Sequence, residues 1–190
     1  MNNEHSIYNR KSTRLKYFDY NSAGAYFITI CTQDRRCVLS KIVGTGVLDC
    51  PYAELTKYGE IADKYIKQIS NFYEYLSVES YVIMPNHIHL LLIIKDTECV
   101  NKEIGQSGTP VPTNVKRANS ILSQFVSTFK RFCNKEYGEN IWQSRTYDHI
   151  VRDSEDYEAY MRYIYENPIR WYCDELCTEN QYGNTERSVL

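Results

Sequence analysis

Val78-Glu79-Ser80-Tyr81-Val82-Ile83-Met84-Pro85-Asn86-His87-Ile88-His89-Leu90-Leu91-Leu92-Ile93-Ile94 sets two imidazoles in an otherwise apolar run. Side chains alternate faces along a strand, so His87 and His89 point one way while Ile88 and Leu90 point the other. Their β-carbons lie roughly 7 Å apart, near enough to converge on one ion. Pro85 lacks the N–H that a central strand needs, so Met84-Pro85-Asn86 separates two strands or opens the second irregularly. Strands joined so briefly are antiparallel neighbours. The histidines thus stand at a strand's start, where a cleft can open. Neutral imidazole suits several divalent metals, and two of them leave room for a third protein group, a phosphate and water. Two polar residues on the half-exposed face of an edge strand would give the same letters.

Outward from this pair, the remaining segments alternate in period. Residues 25–31 are β-branched and aromatic, as a central strand requires, and 37–48 read as a short β excursion at the sheet's edge. From 52 to 73, Leu55, Tyr58, Ile61, Ala62, Tyr65, Ile66 and Ile69 recur at three- and four-residue intervals, which predicts one amphipathic helix with Pro51 at its start. The stretch 95–115, with Gly105, Gly108, Pro110 and Pro112, reads as a mobile loop. Asn119 or Ser120 is placed to cap a helix over 121–137, which Gly138 ends. A strand finishes near Arg152, and Asp153 with Asp156 opens a helix over 154–167 that Pro168 should stop. The order is βαββαβ followed by a helix: an α+β chain with a ferredoxin-like core, an antiparallel sheet carrying helices on one face, plus a C-terminal tyrosine-bearing helix. We expect a basic N-terminal arm over 1–20, a single domain over 21–172 and a tail over 173–190.

The composition fits this economy. At 190 residues, with 43% hydrophobic and 24% charged residues, the chain suits one globular domain. No run is long and apolar enough to span a bilayer, and Met1-Asn2-Asn3-Glu4-His5 is not a leader, so a cytoplasmic protein without a membrane partner is expected. Seven cysteines without paired C-x-x-C spacing favour reduced, buried thiols, although Cys173 and Cys177 could share a metal on a helix. A net charge of −2 does not announce a nucleic-acid binder. Charge is uneven, however: Arg10, Lys11, Arg14 and Lys16 cluster at the start, and Lys116, Arg117, Lys130, Arg131 and Lys135 in the middle. Such local basic faces can hold phosphates, as they can also be plain solvated surface. Tyrosine is the oddity, with 18 against 6 Phe, and most of these rings must be structural.

On the last helix, at about 100° per residue, Tyr163 and Asn167 sit about 40° apart on one face, and Tyr165 points away. Asn167 can offer a carbonyl oxygen to a hard cation, completing a His-His-Asn site suited to Mg2+ or Mn2+. A phenol beside a metal-held phosphate can attack phosphorus, yet free tyrosine, with a pKa near 10, needs help to lose its proton. Tyr160 flanks the same face and is the second candidate. A helix stripe of Tyr160, Tyr163 and Ile164 is also what plain packing against a sheet produces.

Tyr26-Phe27-Ile28-Thr29-Ile30-Cys31-Thr32, Met84-Pro85-Asn86-His87-Ile88-His89, Ile141-Trp142-Gln143 and Tyr163-Ile164-Tyr165-Glu166-Asn167-Pro168 occur in this order. Together they resemble the single-tyrosine HUH transposases, most closely the REP-associated tyrosine transposases, over about residues 14–172. The resemblance implies that His87 and His89 hold the divalent ion with Asn167 as third ligand, and that Tyr163 is the nucleophile. It implies a metal-dependent single-stranded DNA endonuclease and strand transferase, acting in DNA transposition and recombination. Such an enzyme cuts beside hairpin-forming palindromes through a 5′-phosphotyrosine intermediate and works as monomer or homodimer. Arg10, Lys11, Arg14 and Lys16 would guide the hairpin, with Lys130 and Arg131 as further DNA contacts. The 95–115 loop is longer than in compact members of the family, and an acidic stub follows Trp171 where some members carry a longer C-terminal tail. Two other classes fit parts of the chain: a hairpin-binding protein without catalysis, stacking bases on a tyrosine-rich sheet, and a decayed transposase.

Overall fold

The computed structural model describes residues 18–44, 50–96 and 120–177. Four strands form one antiparallel sheet: β1 (Gly24–Cys31), β4 (Leu76–Ile83), β5 (His87–Ile94) and β6 (Tyr147–Val151), in the order β4-β5-β1-β6. Helices α1 (Lys57–Lys67) and α3 (Ile121–Tyr137) complete the βαββαβ set, and the ferredoxin-like core expected from the sequence is the one observed. A small two-stranded sheet, β2 (Ser40–Val43) with β3 (Tyr52–Leu55), fills the connection between β1 and α1. Short α2 (Ile69–Phe72) follows α1, and α4 (Ser154–Arg170) leads into a 3-10 turn at Trp171–Cys173.

Alternation divides the sheet into two faces. Tyr26, Ile28 and Ile30 of β1 and Ile88, Leu90, Leu92 and Ile94 of β5 enter the main core with Ala62 and Ile66 of α1 and Leu122, Phe125 and Phe129 of α3. The opposite face carries Phe27 and Leu91, which pack on Ile164 of α4. Register sets Thr29 opposite His89 and Cys31 opposite His87. β5 is therefore an interior strand, and both imidazoles are buried rather than half-exposed at an edge.

Two predicted elements differ. The helix expected over 52–73 begins only at Lys57, because 52–55 pair with β2 and Thr56 supplies the cap, its hydroxyl accepting from the Gly59 amide at 3.3 Å. Pro51 leads into a strand instead, and Gln68 interrupts the helix before α2. Pro168 does not stop α4, which runs to Arg170. A proline there removes one backbone bond at a cost of about 3 kcal/mol. The chain beyond is nonetheless fixed in the helical direction by buried Trp171, packed with Met84 and Cys177, and by the Glu166–Arg170 ion pair at 2.6 Å. The caps read from the sequence are present: Ser120 on α3, Gly138 at φ 78° after it, and Asp153, whose carboxylate accepts from the Asp156 amide at 2.8 Å.

The end of the predicted arm joins the core, Tyr20 being buried against Phe18 and Tyr26. The six described cysteines are free thiols. Cys173 is exposed in the 3-10 turn while Cys177 is buried, so the pair does not share one helix. The mobile loop expected over 95–115 and the arm residues Arg10, Lys11, Arg14 and Lys16 lie outside the described residues, apart from Lys95 and Asp96. Among the described residues, no helix is long and apolar enough to cross a membrane.

Candidate active site

The loop Met84-Pro85-Asn86 is held at both ends: the Met84 amide donates to His87 O at 2.9 Å and the Thr32 amide to Asn86 O at 2.9 Å. Asn86 Nδ2 donates to Leu176 O at 2.7 Å and to Arg35 O at 3.4 Å. Both partners are carbonyls, which fixes the amide's orientation and leaves Asn86 Oδ1 facing His87 Nδ1 at 2.8 Å. Nδ1 must then carry the proton, and Nε2 keeps its lone pair. His89 Nδ1 lies 2.9 Å from Thr29 Oγ1, a hydroxyl able to accept its proton and so leave Nε2 with a lone pair. The two rings lie 4.4 Å apart.

Both Nε2 atoms are buried without a hydrogen-bond partner, and so is Asn167 Oδ1. Buried polar atoms left in this state cost on the order of 1–3 kcal/mol each. Three converging in one place mark a site shaped for something other than packing. Burial drives both imidazoles toward the neutral form. His87 is lowered to about 4, with Asp174 opposing the shift, and His89 is held well below its ordinary value, with the neighbouring His87 adding to the effect. Neutral imidazole with a free Nε2 is the form that binds a divalent ion.

Helix α4 crosses this face and brings Tyr163 and Asn167 together, as the one-turn spacing predicts. The Tyr163 ring is 5.0 Å from the His89 ring and 37% exposed, so it is reachable from solvent, while Asn167 is buried. Tyr165, 80% exposed, faces away. Tyr160 stacks on Phe27 at 4.3 Å instead of facing the imidazoles. Burial raises the Tyr163 phenol, with the negative charge of Asp174 adding to it and Asn167 opposing.

Asp174 is the group that sequence reasoning missed. One of its carboxylate oxygens and the ligand nitrogens of His87 and His89 all lie within 4.8 Å of one another. The Tyr163 hydroxyl makes a long contact of 3.5 Å to Asp174 Oδ2. The segment is latched by Arg35 Nη1 donating to Glu175 O at 2.9 Å, by Asn86 on Leu176 O, and by the Leu176 amide on Asp174 Oδ1 at 2.7 Å. The stub's acidity was its one sequence signal. The predicted DNA contacts on α3 are placed elsewhere: Lys130 is turned onto Gln143 O at 2.7 Å and Thr146 Oγ1 at 3.0 Å, and burial lowers it to about 8, while Arg131 lies over the Phe132 ring.

Two imidazoles with unpartnered nitrogens, a buried amide oxygen and a solvent-reachable phenol thus meet on one face of a ferredoxin-like sheet. No family model matches the chain. An uncharacterized protein of Haemophilus influenzae is 29% identical over 180 residues, covering 90% of this chain and 94% of that protein. A second Haemophilus influenzae protein, whose name assigns it provisionally to the REP-associated tyrosine transposases, is 27% identical over 179 residues, 90% of this chain and 85% of that one. A solved REP-associated tyrosine transposase bound to a REP hairpin has a TM-score of 0.56 at 19% identity, covering 83% of this chain and 74% of the other, a likeness of fold. The sequence's resemblance to the REP-associated tyrosine transposases is borne out.

Proposed function

We propose that the protein is a transposase of the single-tyrosine kind: a metal-dependent single-stranded DNA endonuclease and strand transferase that cuts beside a hairpin-forming palindrome. The observation that carries this reading is the convergence of three unpartnered buried ligand atoms, His87 Nε2, His89 Nε2 and Asn167 Oδ1, beside a solvent-reachable phenol. These groups fit Mg2+ or Mn2+. Bound there, the ion would neutralise the non-bridging oxygens of a phosphodiester and orient it for in-line attack.

The chain's own residues supply the rest. Tyr163 Oη attacks phosphorus, its proton passing to Asp174 Oδ2, which it already faces. The bond to the 3′-oxygen breaks, leaving a 3′-hydroxyl that takes a proton from water and a 5′-phosphotyrosine link on the protein. Thr29 and Asn86 hold the imidazoles in one orientation throughout. His87, His89, Asn167, Asp174 and Tyr163 all come from one chain, which supports cleavage by a monomer. The hairpin partner is supported by the solved relative, which was bound to one.

The test is covalent capture of single-stranded hairpin DNA in manganese. We expect an adduct with the wild-type chain, none with Tyr163→Phe and none in EDTA. An adduct surviving Tyr163→Phe would remove Tyr163 as the nucleophile, and hairpin binding without any adduct would favour a DNA-binding protein without catalysis.

A further inference from the structure

The rings around His89 continue outward from the ligand atoms. His89 stacks on Phe27 at 5.1 Å with planes 28° apart, and Phe27 stacks on Tyr160 at 4.3 Å with planes 27° apart. The His149 ring flanks Tyr160 at 4.9 Å. His149 is itself held by Asp156 Oδ2, 2.8 Å from its Nε2, and that oxygen also accepts from the Arg152 amide at 3.2 Å. Tyr160 is thereby braced by Phe27 and by a ring anchored through Asp156, and Tyr147, half exposed, lines the same cleft.

This cleft has a volume of about 760 Å³ and reaches His89, Tyr163 and Asn167 at its inner end. That is far more than one phosphate group fills, and it falls in the range of roughly 300–1,000 Å³ seen for sites that enclose a small organic ligand. Arg170, Asp174 and Glu175 line part of this cleft, and Phe27, Tyr147, Tyr160 and Tyr163 give it an aromatic wall. Every nucleobase has a π-face, so such a wall accepts a base without reading its edge. A base inside a duplex has both faces covered by its neighbours and must be extruded before it can meet a side chain. Burial pushes the Tyr160 phenol up to about 12, so it stays neutral beside a polyanion.

We propose that Tyr160 and Tyr147 form a stacking subsite for the unpaired nucleobase beside the phosphate held at His87 and His89, making them positioning residues that select single-stranded DNA. This inference rests on the phosphate-site reading above. It is tested by titrating end-labelled oligothymidine, and a matched strand of abasic deoxyribose phosphates, with the full chain.

Tyr160→Leu should bind oligothymidine about tenfold more weakly, the weight of one stacked base, while Tyr160→Phe matches wild type. Tyr147→Ala, at a half-exposed position that does not endanger folding, should lose about threefold. Neither change should alter affinity for the abasic strand. Wild-type affinity of Tyr147→Ala and Tyr160→Leu for oligothymidine, or an equal loss on both strands, overturns the subsite. Failure of the cleavage reading looks different: base-dependent binding sensitive to Tyr160 would persist while no strand forms a covalent adduct.

Discussion

Along β5, Ile88, Leu90, Leu92 and Ile94 enter a closed apolar core with α1 and α3, while His87 and His89, one residue out of phase, meet α4 across a cleft. The same strand thus serves two faces with opposite economies. One face is closed apolar packing, where Trp142 Nε1 is a lone buried donor among hydrocarbon and aromatic side chains. The other keeps three polar atoms buried without partners and a phenol open to solvent. The difference teaches where stability and chemistry are stored: substitutions on the core face should cost folding and spare chemistry, and those on the site face the reverse.

The largest expected effect is on the site face. His89→Leu should lower adduct formation at least a thousandfold, about 4 kcal/mol, yet leave unfolding free energy within about 1 kcal/mol, since an unpaired buried nitrogen is removed. Adduct yield and urea midpoints measured on the same preparation check both halves. Leu90→Ala inverts the result: about 3–5 kcal/mol of stability is lost, read from denaturant unfolding, with the adduct yield of the remaining folded protein unchanged. A site-face residue that behaved like Leu90 would break the contrast.

Acid sharpens it. His87 titrates at about 4 in the folded chain and near 6.5 unfolded, so the folded state binds its proton later than the unfolded one. Stability from this group is complete above pH 6.5 and falls as pH drops toward 4, by about 3 kcal/mol. Urea unfolding of metal-free protein across that window should show the slope, and His87→Leu should make it shallower while the share from His89 remains. The smallest change expected is at the start of α4, where Asp153→Ala removes the cap and costs about 1 kcal/mol, checked by thermal unfolding.

Much of this contrast could be read from the residues because it rests on short-range periodicity. Period two along 87–94 separated the histidines from the core, and the one-turn spacing joined Tyr163 to Asn167. The helix predicted from 52 failed because Leu55 matches a helical stripe that truly begins after Thr56, while pairing with β2 is non-local. Asp174 escaped for the same reason. Its place depends on Arg35 and Asn86, far away in sequence, gripping the backbone at Glu175 and Leu176. Lys130 was legible as a charge but not as a cation turned inward onto Gln143.

The most direct measurement is mass spectrometry of the peptide that carries the covalently trapped DNA. The account predicts a single phosphotyrosine at Tyr163. A link at Tyr160 or Tyr165, or DNA cleavage with no protein-bound strand, would contradict it.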